Sequence, residues 1–167
     1  QEGIEVPEIY HVESVKFATN LLEMENIEFP IAMRTAGSLD VMLPNNKKEA
    51  ESMLSALKTL KEPIYLEEFS KERYVDLYVF GNTVEYAIRK KPKGGSDIYK
   101  GRGKSKRVRI KNAYKQIGSK VATTLKTDLA RIRILEKQKK VVDVSLCPHF
   151  KKAMKTTKKG VDKEFMK

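Results

Sequence analysis

Val75-Asp76-Leu77-Tyr78-Val79-Phe80-Gly81-Asn82-Thr83-Val84-Glu85-Tyr86-Ala87-Ile88-Arg89 is the stretch that decides the fold. Val75, Leu77 and Val79 alternate with Asp76, Tyr78 and Phe80. Beyond Gly81-Asn82, Val84, Tyr86 and Ile88 alternate with Glu85, Ala87 and Arg89. Successive side chains of a strand point to opposite faces, and a Gly-Asn pair suits a tight reversal, so the spacing predicts a β-hairpin.

Upstream, residues 13–26 recur at the helical period through Val15, Ala18, Thr19, Leu22 and Met24, with Ser14 or the preceding turn as a cap. Residues 27–33 and 39–43 are short strand candidates, the first tolerating Pro30 as an edge strand does. Pro44-Asn45-Asn46 offers turn and cap chemistry before a helix over 47–60, whose apolar face is Ala50, Met53, Leu54 and Leu57. Ile64-Tyr65-Leu66, running into Glu67-Glu68-Phe69, reads as a strand.

Downstream, residues 90–106 hold Pro92, four glycines and many cations, a composition that predicts an exposed loop. Helical spacing returns over 112–125 through Ala113, Ile117, Val121 and Leu125. Strands over 129–135 and 140–146 then meet at a turn over 136–139, and the Lys-rich tail beyond Phe150 reads as frayed. No internal repeat is visible. Helices and hairpins in this order predict an α+β fold with antiparallel sheets.

The chain has 167 residues and a net charge of +12, but residues 1–88 sum to −8 and residues 89–167 to +20. From Arg89 to Lys111 there are 11 cations in 23 residues, with Asp97 the only acid. Such asymmetry implies an anionic partner for the second half: RNA, a ribosome, a polyphosphate, a nucleotide or an acidic peptide. A solvated basic loop is the plainer reading, and no patterned RNA- or DNA-binding motif is present. No stretch has the roughly 20 apolar residues of a membrane span. The chain opens on Gln1 without a basic, then apolar, signal pattern, and Cys147 is the only cysteine, so the expectation is cytoplasm.

Several segments together resemble the ATP-grasp ligases, nearest the RimK-like branch that joins amino acids to carboxylates. Lys16, the Leu21-Leu22 pair, Asn26-Ile27 and Pro30 are similar to the family's opening pattern, and Arg34 stands where a second phosphate-binding lysine is usual. Gly37-Ser38 resembles a much shortened glycine-rich lid. Ile64-Tyr65-Leu66-Glu67-Glu68-Phe69 is similar to the hinge strand, which implies adenine and ribose contacts for Glu67 and Glu68. Asp76-Leu77-Tyr78-Val79-Phe80-Gly81 resembles the family's Asp-x-Arg hairpin, with Tyr78 in the arginine position and Arg89 as its closing basic residue. Asp97-Ile98-Tyr99-Lys100-Gly101 is similar to the segment that meets the transferred phosphate. The resemblance therefore implies two small α+β lobes, 1–66 and 67–155, before a basic tail 156–167, and ATP and Mg2+ as cofactors, with Lys16, Arg34, Glu67, Glu68 and Asp76 binding nucleotide and Lys100 and Arg89 catalytic.

The family's metal carboxylates are the exception. Where an aspartate and a Glu-x-Asn pair are usual, this chain has Arg133, Asp143 and Ser145. Magnesium takes oxygen ligands, so Asp143 alone remains, bridging one ion to ATP. Arg133 either supplies its own charge near phosphate or pairs with Asp143 across the hairpin. Cys147, His149 and Asp143 lie close in sequence but lack the second pair that zinc needs. Three functions stay open: an ATP-dependent ligase forming an acyl phosphate, a non-catalytic descendant binding a polyanion, and a kinase of a polyanionic small molecule.

Overall fold

The structure is a computed structural model that describes residues 3–24, 27–35, 40–57 and 62–148. Asn26, Gly37, Ser38, Leu39 and His149, together with the tail beyond Phe150, lie outside the described residues. The chain separates into two compact units, one from Pro7–Lys71 and Gly94–Lys100, the other from Gln1–Val6, Glu72–Lys93 and Gly101–Lys167. Both are α+β with antiparallel sheets.

The first unit contains β1 (Ile9–Val12), α1 (Val15–Met24), β2 (Ile31–Thr35), α2 (Lys47–Ala56), β3 (Ile64–Glu68) and α3 (Asp97–Lys100). Its sheet runs β1-β3-β2. Ala18 and Leu22 on α1, and Ala50 and Leu54 on α2, sit four residues apart and bury one stripe of each helix against Ile31, Met33, Ile64 and Leu66. Asn46 caps α2, its side chain accepting from the Glu49 N–H at 2.9 Å. The strand expected over 39–43 shrinks to one bridge, where Met33 and Met42 exchange backbone hydrogen bonds of 2.8 and 2.9 Å. Strand β1 was invisible because four half-exposed residues carry too little apolar periodicity.

The second unit contains β4 (Tyr74–Phe80), β5 (Thr83–Lys91), β6 (Lys104–Arg107), α4 (Asn112–Leu125), β7 (Leu129–Leu135) and β8 (Val141–Ser145), in sheet order β6-β5-β4-β7-β8. Val75, Leu77, Val79, Val84, Ala87, Ala130, Ile132 and Ile134 form its core with Tyr114, Val121 and Ala122 of α4. Gly118 lets α4 come this near, since a Cβ there would overlap Val84 Cγ2. The loop expected over 90–106 is corrected: β5 continues through Lys91, and α3 and β6 occupy much of the rest. Buried Lys90 and Ile98 anchor the segment, and the cation and glycine content hid both.

The β4–β5 hairpin is irregular in register. Phe80 pairs with Thr83 and Val79 with Val84, but Tyr78 pairs with Tyr86, so the register skips exposed Glu85. This β-bulge reverses the facing of every later β5 residue relative to a regular hairpin. Val84 and Ala87 therefore join the core with α4, while Tyr86 and Ile88 pack with Tyr78 and Phe80 on the opposite face.

Candidate functional site

On the face of the five-stranded sheet away from α4, register sets Asp76 of β4 opposite Arg133 of β7, and Arg133 opposite Asp143 of β8. Arg133 Nε donates to Asp76 Oδ1 at 2.7 Å and its Nη2 to Oδ2 at 3.3 Å. Lys90 Nζ donates to Asp76 Oδ2 at 2.6 Å and to the Gly101 carbonyl at 3.1 Å. Asp143 Oδ2 accepts from Arg131 Nη2 at 2.5 Å and lies 3.5 Å from Arg133 Nη1. The Tyr74 hydroxyl donates to the Arg102 carbonyl at 2.6 Å, and the Arg133 guanidinium lies over the Tyr74 ring, 4.9 Å from its centroid. The cluster thus also ties the Gly101–Arg102 backbone to the sheet.

Burial governs these charges. It pushes the Asp76 carboxyl up, but the charges and hydrogen bonds of Arg133 and Lys90 outweigh it and hold Asp76 below the usual carboxylate range. Burial lowers Lys90, and Asp76 only partly offsets that. Burial opposes the charged form of Arg133 as well, yet Asp76 and Asp143 raise it above its ordinary value. The neighbouring Tyr78 hydroxyl is pushed up to about 12, by burial first and then by Asp76.

The first unit holds a separate pairing. Glu67 on β3 is 3% exposed, and Arg34 on β2 reaches it at 3.8 Å while lying 5.4 Å from the centroid of the Tyr65 ring. Burial, followed by the charge and hydrogen bonding of Glu67, raises the Tyr99 hydroxyl above the ordinary tyrosine range, and the Tyr99 ring stacks on Phe69. Glu68, one residue along the strand, accepts from the Glu8 N–H instead. Lys16 is exposed on α1, and Lys100 pairs with Asp40 at 3.1 Å.

Of the residues singled out from sequence, the structure groups Asp76 with Asp143 through Arg133, and Arg34 with Glu67. Arg89 does not join Asp76: it faces the α4 side, where its Nη2 meets Glu136 Oε1 at 2.5 Å. Lys90 stands on the Asp76 face, the exchange that the bulge imposes. Sequence reasoning missed Lys90 and Arg131, and did not link Tyr99 to Glu67. A strand-parity count across an assumed regular turn points to Arg89, so no local signal announced Lys90.

Whether these residues fit a divalent ion follows from the donors. Asp76 is saturated by two cations, and Asp143 is shared by two arginines. Among the described residues no group of three or more His, Cys, Asp or Glu side chains is placed to hold a metal ion. The residues present do not fit a protein-held magnesium. Cys147 is an exposed free thiol. Among the described residues, no helix is long and apolar enough to cross a membrane.

The α+β arrangement with two antiparallel sheets matches that of solved ATP-grasp ligases. Residues 1–167 match the model of the RimK-like ATP-grasp domain, and the chain belongs to that family. It is 28% identical to a probable alpha-L-glutamate ligase of Citrobacter koseri and to the ribosomal protein bS6–L-glutamate ligase of Escherichia fergusonii, covering 97% of this chain and 56% of each relative. The chain thus spans little more than half their length. Its fold is similar to the ATP-grasp ligase PsnB, solved with minimal precursor, Mg and ADP, at a TM-score of 0.73 and 12% identity over 98% of this chain and 52% of that one. It is also similar to the D-alanine–D-alanine ligase of Bacillus anthracis complexed with ATP, at 0.68 and 16% over 94% and 56%.

Proposed function

We propose that this chain is the nucleotide-binding part of an ATP-dependent carboxylate–amine ligase. The observation that carries the reading is the Arg34–Glu67 pair on adjacent strands, in a chain that matches the RimK-like family along its whole length. Arg34 keeps 41% of its side chain exposed, so its guanidinium can meet phosphate oxygens while it stays 3.8 Å from Glu67. Lys16 and Lys100 add exposed cations for the triphosphate. Glu67 and Glu68, closing β3, are the acceptors for adenine and ribose. In the reaction a carboxylate oxygen attacks the γ-phosphorus, ADP leaves, and an amine then displaces phosphate from the acyl carbon. Fixed cations stabilise the charge that moves onto the leaving oxygens.

Calorimetric titration of the chain with ATP tests this. Saturable binding, weakened about tenfold or more by Arg34→Ala, is expected from loss of a charge-assisted contact. A chain that takes up no ATP, or takes it up equally well without Arg34, removes the basis for the reading.

A second reading is favoured by β6. Lys104, Ser105, Lys106 and Arg107 are all exposed on an edge strand of the five-stranded sheet, with Arg109 and Lys111 following. Cations set along an open strand edge fit a polyanionic partner, RNA or an acidic peptide, for a descendant that no longer ligates. Salt-sensitive binding to mixed RNA without any ATP binding would favour it.

A further inference from the structure

The row Asp76–Arg133–Asp143 has the placement of a carboxylate cation site and the opposite filling. Among the described residues, three cations, Lys90, Arg131 and Arg133, meet two carboxylates on this face, a surplus of positive charge that opposes a divalent ion. Arg133 is 1% exposed and cannot swing aside without leaving Asp76 and Lys90 as a buried pair short of a partner. Gly101 closes over it: its φ is +63°, and a Cβ there would lie 2.6 Å from Arg133 Nη2. The guanidinium is therefore an enclosed, fixed charge rather than a surface group that a metal displaces. Asp143, the more accessible carboxylate, is already neutralised by Arg131 and Arg133.

We propose that Arg133 takes the place of a divalent ion on this face, so that the chain holds no metal there.

Mn2+ binding by the intact chain, wild type and variant, tests it. Electron paramagnetic resonance with Mn2+ alone is expected to show only free ion, and a bound population at micromolar Mn2+ would overturn the proposal. In Arg133→Asp, a third carboxylate beside Asp76 and Asp143 is expected to create Mn2+ binding. A soluble variant that still binds none would show that Arg133 is not what excludes the ion.

Discussion

Arg133 and Asp76 form a two-point contact, 2.7 Å from Nε to Oδ1 and 3.3 Å from Nη2 to Oδ2, in which neither side chain has more than 1% exposure. A charge pair so enclosed adds little net stability over an apolar pair, but removing one member strands the other.

Asp76→Asn accordingly takes from buried Arg133 and Lys90 the carboxylate they share, leaving Arg133 the more distant Asp143, and is expected to cost about 3 kcal/mol in urea unfolding. The wild-type carboxyl has a depressed folded value, so its contribution is complete above the unfolded carboxylate range near pH 4 and is lost as pH falls through the lower folded value. The stability difference between wild type and variant should narrow below about pH 4. A difference constant down to pH 2 would contradict the assignment of the charge to Asp76.

Tyr78 gives the alkaline counterpart. Its folded value of about 12 lies above the ordinary 10, so its contribution is full below pH 10 and disappears as pH rises through 12. Denaturation of Tyr78→Phe is expected to lose less stability than wild type between those limits, by on the order of 2 kcal/mol. Parallel curves for the two proteins would rule out a buried phenol there.

Gly101→Ala puts a methyl group against the Arg133 guanidinium at a positive φ that alanine disfavours. The expected cost is about 1–3 kcal/mol, read by thermal or urea unfolding. An unchanged midpoint would mean that the Gly101 backbone is not held over Arg133.

On the basic edge, the double substitution Lys104→Ala and Lys106→Ala should lower the slope of log affinity against log salt for RNA by about 2, one for each phosphate contact removed. If affinity falls while the slope stays the same, those lysines are not neutralising phosphates.

Much of the fold was legible because it rests on local periodicity. Helix α4 was expected over 112–125 and runs Asn112–Leu125, and the strand expected over 129–135 is Leu129–Leu135. Both carry enough apolar repeats for burial to follow from spacing alone. Strands β1 and β6 and the short α3 were not legible, being four residues each, too short for a period to show, and β1 pairs with the distant β3.

The site divides along the same line. The residues themselves establish the family likeness and the basic second half, and put Arg133 and Ser145 where the resemblance implies a metal-binding aspartate and asparagine, since each depends only on residue type and order. Which cation faces Asp76 depends on a single extra residue, Glu85, in a hairpin whose turn looks regular. With side-chain facing at period two, that residue moves Arg89 to Glu136 and brings Lys90 to Asp76. Arg133 likewise had two open roles until β4 and β8 flanked β7 and set a carboxylate on each side of it. Tertiary structure decided these points, because cross-strand register is a property of paired strands and is written in neither strand alone.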